Sequence, residues 1–472
     1  MKPESSGNST GPKRPPGTSQ GVLPFPAEAG EARPGGTAEP HGPAAWREAR
    51  LKTAHLMEEV VAHENMTRAL RRVQANKGSP GVDGMTVGQL SGHLRAHWPA
   101  LREKMLAGTY EPAPVLRRTI PKADGGTREL GVPTVLDRLI QQAILQVFEP
   151  IFDPTFSASS YGFRPNRSAH EAVRQAKRYI EEGYGWVVDV DLDKFFDRVH
   201  HDILMSRVAR RVGDKRLLHL IGAYLRAGVM VEGVVHGREE GTPQGGPLSP
   251  LLANVLLDEF DRELEARGHH FCRYADDCNI YVRSQRAGER VMASVRAFLE
   301  KRLRLKVNEA KSAVARPSER KFLGFSVTDR TPRKIRIAPR ALERARERIR
   351  MLTRRARGVA LERVVEDLNV FLRGWVGYFR LAQTPSVIEA LEEWTNRRLR
   401  SYWWSLRRRG RARLRHLMAL GVPEWRARRL AGTGSGPWRM ARALNGVLST
   451  QWLRAQGMLA LSDLYRQTRL AT

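Results

Sequence analysis

Two adjacent carboxylates, Asp276 and Asp277, close the stretch Tyr274-Ala275-Asp276-Asp277. Apolar or β-prone residues flank it, Phe271 and Cys272 before, Ile280, Tyr281 and Val282 after. The pattern predicts two short strands joined by a tight turn with both aspartates at its tip. Adjacent carboxylates repel unless a cation sits beside them, and hard oxygen ligands suit Mg²⁺, which binds one or two carboxylates together with substrate phosphates. An isolated Asp-Asp pair is more often a solvated acidic turn, so the reading depends on a partner elsewhere in the chain. Trp186 to Val190 reads as a buried strand, and Asp191-Leu192-Asp193-Lys194-Phe195-Phe196-Asp197 follows it. At that strand's end, Asp191 is placed to join Asp276 and Asp277 in one sheet. Three carboxylates on adjacent strand ends make a site for two divalent cations, which clamp the attacking and leaving oxygens of an in-line phosphoryl transfer. Asp189, Asp193 and Asp197 compete with Asp191. Period-two alternation puts Asp189 on the same side as Asp191, so spacing alone does not choose between them.

Composition narrows what such a site would act on. The chain has 472 residues, 80 Lys and Arg against 50 Asp and Glu, a formal net charge of +30, and a pI near 11.0. That field implies a polyanionic partner, either nucleic acid or an anionic membrane surface. No apolar run approaches the roughly 18 residues that span a bilayer, and the N-terminus has no apolar secretory segment. Nucleic acid in the cytoplasm, with no membrane partner, is the expectation. The two cysteines, Cys272 and Cys278, flank the aspartate turn. They are too few for a disulfide framework or a four-cysteine zinc site, and are expected as small buried side chains.

Residues 1 to about 45 are rich in Gly, Pro, Ser and Thr and are expected to be a disordered tail, since they bury too little to offset ordering. Helical patterning starts near Trp46 and runs through Leu51, Leu56, Val60 and Val61; a second helix is predicted from Val87 to Leu106. Val115 to Pro133 reads as a hairpin turning at Gly125-Gly126. Lys122 and Arg128 flank that turn. They are either ordinary solvated cations or a clamp for a triphosphate, Lys as a point charge and Arg as a fork. A helix is predicted from Asp137 to Phe148, and another from Ala169 to Tyr179, after the compact turn Ser160-Tyr161-Gly162-Phe163-Arg164-Pro165. The stretch Gly241-Thr242-Pro243-Gln244-Gly245-Gly246-Pro247 gives a rigid loop with close backbone access. It opens onto a helix through Leu251, Leu252, Val255, Leu256 and Phe260.

The order of these motifs carries a resemblance. Asp191 with Phe196, then Thr242-Pro243-Gln244-Gly245, then Tyr274-Ala275-Asp276-Asp277, resembles a reverse transcriptase. Ile120-Pro121-Lys122 and Ser160-Tyr161-Gly162-Phe163-Arg164-Pro165 are similar to finger motifs of group II intron-encoded proteins, and Phe322-Leu323-Gly324-Phe325 resembles the last palm motif of that family. The resemblance implies that Asp191 is the first metal-binding aspartate, five residues before an aromatic sugar gate, Phe196. It implies Asp276 as the second metal ligand, Asp277 as its supporting partner and the Leu192 backbone carbonyl as a further ligand. It casts Lys122 and Arg128 as triphosphate-binding residues, and Gln244 as a neighbour of the templating pair and incoming nucleotide. Lys311 would assist departure of pyrophosphate, with Lys306 competing for that role. Arg164 is expected on nucleic acid.

Beyond about Ile335 the chain uses arginine only, with no lysine after Lys334. Genomic base composition would explain this, as would bidentate phosphate recognition and stacking on bases. Ala341 to Arg355 is predicted as a basic helix. Leu361, Val364, Val365, Leu368, Leu372, Trp375 and Phe379 form one apolar helix face, read as core. Arg373-Gly374-Trp375-Val376-Gly377-Tyr378-Phe379 resembles the thumb, or maturase domain, of the same family. Further on, Arg397, Arg398, Arg400, Arg407, Arg408 and Arg409 lie in a stretch whose charge density predicts an RNA or DNA contact surface. No cysteine follows Cys278, so the resemblance is to the short form that lacks a Cys-containing endonuclease module. The expected fold is α+β, a right-hand polymerase with fingers and palm at 46–335. A helical thumb at 336–395 and a basic extension at 396–472 follow. The implied activity is RNA-directed DNA synthesis with two Mg²⁺ ions, deoxynucleoside triphosphates and a primed RNA template. Intron RNA and target DNA are the further implied partners, in a bacterial cytoplasm. The competing readings are a non-catalytic RNA-binding splicing factor and a reverse transcriptase of a non-intron element such as a retron.

Overall fold

A computed structural model describes residues 43–121, 127–231, 234–236, 240–242, 245–407 and 409–470. Ten strands occur among them, β1 Val115–Pro121, β2 Thr127–Val132, β3 Trp186–Asp191, β4 Val229–Val231, β5 Val234–His236, β6 His270–Tyr274, β7 Asp277–Val282, β8 Ala313–Ala315, β9 Phe325–Val327 and β10 Ile335–Ile337. They make a four-stranded sheet in the order β2-β1-β4-β5, a second in the order β6-β7-β3-β8, and the pair β9–β10. From Pro339 onward the described chain is helical. The class is thus α+β followed by an all-helical part. The expected tail, 1–45, lies outside the described residues except for Pro43–Ala45, which open the first helix.

The second sheet is buried on both faces, and strand alternation divides them. Val188, Val190, Cys278, Ile280 and Val282 point into a core built with the helices Val135–Phe152 and Ser249–Ala266. Val187, Cys272 and Tyr281 point the other way, into a core shared with Phe322 to Ile337 and the C-terminal helices. Asp189, Asp191 and Asp277 belong by alternation to this second face. So the sheet face that carries the carboxylates is the one the helical C-terminal part packs against.

Local signals account for most helix positions. Thr134 caps the helix Val135–Phe152 by accepting from the Asp137 N–H, and Ser168 with Glu171 forms a capping box on Ala169–Glu181, each a source of about 1 kcal/mol of helix stability. The apolar stripe read from Leu361 to Phe379 is buried residue for residue on a helix with those bounds. The first helix departs from expectation. The helix begun near Trp46 does not run on to Val61; it breaks into Pro43–Lys52 and Leu56–Val61, and Leu51 stays exposed. The break is tertiary in origin. The Thr53 hydroxyl donates to the Arg211 carbonyl at 2.8 Å and accepts from the Gly213 N–H at 2.9 Å.

Under β6 lies the best-satisfied buried charge among the described residues. Arg273 is fully enclosed and forks onto the Asp261 carboxylate at 2.6 and 2.5 Å, from the helix Ser249–Ala266. Nη1 donates to Asn254 Oδ1 and to the Ala275 carbonyl, both at 3.0 Å, and Nη2 also donates to Ser160 Oγ at 2.8 Å. Arg273→Met strands the Asp261 charge in the core, and is expected to destabilise the protein by about 3–5 kcal/mol. Adding Asp261→Leu should recover part of that loss, because the unpaired charge carries most of the penalty. Denaturant midpoints of the single and double variants check this; equal losses in both would refute it.

Candidate active site

The register of β3 against β7 sets Asp191 directly opposite Asp277. Cross-strand partners bring their Cβ atoms to about 5 Å. Asp277 is not in the turn, as expected from sequence, but is the first residue of β7. The turn is Ala275-Asp276, and Ala275 takes a left-handed φ of 58°. Its conformation is held by the Arg273 bond to the Ala275 carbonyl. Asp189, two residues back on the same face, is the fourth carboxylate. Burial first, then Asp189, Asp276 and Asp191, pushes Asp277 up to about 8, with Lys321 opposing. Asp189 is also raised, by burial first, against the lowering influence of Arg320.

The competitors separate by their partners. Asp189 is ion-paired with Arg320 at 2.6 Å, and Asp193 with Arg198 at 2.9 Å. Asp197 is exposed, beyond the strand end. Asp191 faces Lys311 Nζ at 3.7 Å and is itself well exposed. Its backbone is held firmly, the N–H donating to Ser312 Oγ at 3.0 Å and the carbonyl accepting from Asn308 at 2.8 Å. Leu192, its side chain buried, bridges to Val307. Lys306 contributes its carbonyl to the Asp193 N–H and is otherwise exposed. As placed, no group of three or more acidic, His or Cys side chains among the described residues is arranged round a common ion position. The donor set nonetheless fits a hard divalent cation, being all oxygen anions whose mutual repulsion is already visible at Asp277.

Phe196 stands just beyond this cluster. Phe195 is buried in the core, while Phe196 is only half-buried and meets it edge-on at 5.1 Å. The Phe196 carbonyl accepts from the Thr242 N–H at 2.7 Å. Gly245 and Gly246 press against β2 and Gln141, where a Cβ would come within 2.7 Å of the Gly131 carbonyl and 2.3 Å of Gln141 Oε1. Thr242 thus meets Phe196, while Gly245 and Gly246 meet β2 and Gln141. Lys122, Gln244 and Arg408 lie outside the described residues, as does the side chain of Arg128, whose backbone pairs with Ile120 in β2.

Residues 120–327 match the family model described as reverse transcriptase (RNA-dependent DNA polymerase), and residues 342–421 match the group II intron maturase-specific domain. Protein YkfC of Escherichia coli is 34% identical over 304 residues, 56% of this chain and 80% of its own length. The group II intron-encoded protein LtrA of Lactococcus lactis is 36% identical over 195 residues, 41% of this chain and 32% of LtrA. The chain thus aligns with about a third of that longer relative. A solved structure titled Cas6-RT-Cas1--Cas2 complex is similar at a TM-score of 0.35 and 26% identity, over 52% of this chain and 26% of that one. The chain belongs to the group II intron-encoded reverse transcriptases that carry a maturase domain.

In this reverse transcriptase several arginines expected on nucleic acid also make contacts within the fold. Arg164 is buried and saturated. It bonds Asp153 Oδ1 at 2.7 Å and the carbonyls of Ser157, Ser160 and Asp153 at 2.6, 3.0 and 2.8 Å. Arg400 is only 6% exposed and donates to the Leu448 carbonyl at 2.7 Å. Arg397 lies 4.0 Å over Trp438, and Arg407 3.8 Å over Trp403. Arg398 bonds Thr353 Oγ1 at 3.0 Å beside Trp394. Arg397, Arg398 and Arg407 thus lie half-buried against tryptophans, since a guanidinium stacks flat on an indole while its edges find carbonyls, and Arg400 alone of the four is buried. Arg409 remains exposed, with Arg411 and Arg415 on the next helix, Gly410–Ala419. Sequence reasoning passed over Arg320 and Lys321, which sit beside the carboxylates. Their position immediately before Phe322-Leu323-Gly324-Phe325 was the available signal.

Asp277 also predicts a pH dependence. Its folded value, about 8, lies far above the about 3.9 of an unfolded aspartate. The folded chain therefore holds a proton that the unfolded chain has released. The stabilisation linked to that proton is complete below the unfolded value and is lost as pH rises toward about 8. Chelated protein should melt at progressively lower temperature between about pH 6 and about pH 8.5. Divalent cation should abolish the decline, and Asp277→Asn should remove it without cation. A decline identical in wild type and Asp277→Asn would show that other groups cause it.

Proposed function

We propose that this chain extends a DNA primer on an RNA template, using Asp191, Asp276, Asp277 and the Leu192 carbonyl to hold two Mg²⁺ ions. The observation that carries the reading is the cross-strand pairing of Asp191 with Asp277, next to Asp276, in a chain with a reverse transcriptase match over 120–327. When bound, the ions supply Lewis-acid neutralisation of the attacking and leaving oxygens. Asp277, whose proton is held by burial and its neighbouring carboxylates, would have to release that proton to serve as an oxygen ligand. Phe196 occupies the place a ribose 2′-hydroxyl would need and so selects deoxynucleotides. Lys311, its ammonium beside Asp191, neutralises charge on the departing pyrophosphate and is placed to donate a proton to it. Lys122 and Arg128 grip the triphosphate, and Gln244 lies near the templating pair. Residues 46–335 serve as fingers and palm, 336–395 as thumb, and 396–472 as a basic extension.

The same chain binds its intron RNA and assists splicing, which needs phosphate-gripping cations and no carboxylate chemistry. Target DNA is the further partner, and the bacterial cytoplasm the setting. The maturase-specific match at 342–421 supports the RNA-binding half of this reading. With the arginines facing tryptophans assigned to the fold, the contact surface narrows to exposed ones such as Arg409, Arg411 and Arg415.

The two activities should separate. Asp276→Asn with Asp277→Asn is expected to abolish DNA synthesis on a primed RNA template. It should leave intron RNA affinity unchanged or slightly tighter, because two negative charges near the RNA are gone. Arg409→Gln, Arg411→Gln and Arg415→Gln together should do the reverse on the intron, and should flatten the salt dependence of log affinity by roughly 0.7–0.9 per lost contact. A folded aspartate double variant that loses splicing as fully as synthesis would mean that one site serves both.

Phe196→Ala should raise ribonucleotide incorporation while deoxynucleotide extension continues. Single-nucleotide kinetics with matched ribo- and deoxyribonucleotides measure it. Unchanged discrimination in a folded variant would remove Phe196 from the sugar-gate role.

A further inference from the structure

Phe163 combines two unfavourable features. Its ring is 49% exposed, and its backbone φ is 58°. A bulky side chain in the left-handed region is strained, and such strain persists only where neighbours over-determine it. Here they do. On one side, Gly162 is pressed so close to the aspartate turn that a Cβ would come 2.4 Å from the Ala275 nitrogen. Its carbonyl accepts from Asn254 Nδ2 at 2.8 Å, and the Tyr161 N–H donates to the Arg273 carbonyl at 2.8 Å. On the other side stands Arg164, fixed by its four bonds to Asp153, Ser157 and Ser160. The strained residue between these anchors holds its ring 6.2 Å from that of Tyr274, the residue that opens the turn.

The sheet order shows which side of the carboxylates this is. In β6-β7-β3-β8, Tyr274 ends β6, Asp277 begins β7 and Asp191 ends β3. Lys311 and Ser312 come up beside β8, and Phe196 follows β3. Phe163 and Tyr274 thus flank the carboxylates on the β6 edge, while Phe196 and Lys311 flank them on the other. Tyr378 of the helix Leu361–Phe379, 39% exposed, adds a third aromatic on the β6 side, its hydroxyl donating to the Leu323 carbonyl at 2.8 Å. Its carbonyl accepts from His170 Nε2 at 2.6 Å, on the helix Ala169–Glu181 that packs against β6.

We propose that Phe163 is a primer-positioning residue, whose ring packs against the last nucleotide of the primer strand and holds its 3′-hydroxyl over the carboxylates. The inference rests on the polymerase reading above. If the incoming nucleotide is received on the Phe196 and Lys311 side, the strand it joins must arrive from the opposite edge, where the exposed aromatics are. An exposed aromatic face in a field of net charge +30 suits a nucleotide, since every base offers a face to stack on and the phosphates are drawn by the surrounding cations.

The test uses the full chain, a primed RNA template, and Phe163→Gly, Phe163→Leu and Phe163→Tyr. In Phe163→Gly the KM for primer–template should rise roughly 5- to 150-fold, the range that follows from losing one aromatic–base stack. The KM for the deoxynucleotide should stay within about twofold, since that change lies on the other edge. Its melting temperature should be unchanged or higher, because glycine takes this φ without strain and little packing is lost. Phe163→Tyr should behave as wild type, and Phe163→Leu should fall between. Three results overturn the proposal: an unchanged primer KM in Phe163→Gly, a rise in nucleotide KM instead, or a lowered melting temperature with full synthesis restored by Phe163→Leu, which would mark ordinary packing. If wild type extends the primer and one of these three results appears, the Phe163 proposal falls and the polymerase reading stands. If wild type extends nothing, both readings fall together.

Discussion

Four carboxylates gathered at one end of an antiparallel strand pair repel one another, and much of the surrounding structure keeps them there. Asp189 is offset by Arg320, Asp191 faces Lys311, and Asp277 is left protonation-prone at about 8. The turn that carries Asp276 cannot relax away from its neighbours, because Arg273 ties its Ala275 carbonyl to the buried Asp261 and Asn254. That buried fork is the anchor for two loops at once, since Arg273 also meets Ser160 and pairs through its backbone with Ser159 and Tyr161. A cation arriving at such a cluster relieves repulsion that the fold has already built in. The site is therefore strained toward its ligand, in the sense that polar groups held out of equilibrium at a site are stabilised elsewhere.

The same strand pair links chemistry to the helical half of the molecule. Its carboxylate-bearing face continues into Val187, Cys272 and Tyr281, which share one core with the C-terminal helices. Polar ties cross the same boundary. His170 donates to the Tyr378 carbonyl at 2.6 Å, and Gln383 Oε1 accepts from the Ile335 N–H at 3.0 Å. The helices are thus tied to β7 through packed side chains, with a single residue between Ile337 and Pro339. Coupling between RNA engagement and the polymerase face would travel through this contact.

How far the sequence reveals this arrangement depends on which physical signal each residue carries. The strand pair round Asp276 and Asp277, the buried strand before Asp191 and the apolar stripe from Leu361 to Phe379 are periodic, and periodicity survives into the fold. Spacing alone did not separate Asp191 from Asp189; the resemblance singled out Asp191, while the partner that offsets Asp189, Arg320, lies 131 residues away in sequence. Nothing local encodes that contact. Asp277 moved from the turn into β7 for a similar reason, since its register is fixed by the partner strand and not by the turn residues. The helix break at Lys52 likewise follows from Arg211 and Gly213. Contacts of this range are invisible to pattern reading, and the chemistry of the site is built largely from them.

Arginine density misled in a more instructive way. A run of cations reads from sequence as solvated surface, but guanidinium is weakly hydrated and flat, and it packs on indole while donating from its rim. Arg350, Arg397, Arg398, Arg407 and Arg413 each lie over Trp394, Trp403, Trp404 or Trp438. Lysine, with one compact and strongly hydrated charge, could fill few of these places. The exclusive use of arginine after Lys334 is therefore partly a packing solution, by which a chain of extreme charge still builds a core. It follows that formal charge overstates what this region offers to phosphates. Arg411 and Arg415 stay exposed on the next helix, while the arginines that stack on tryptophans give that region part of its packing.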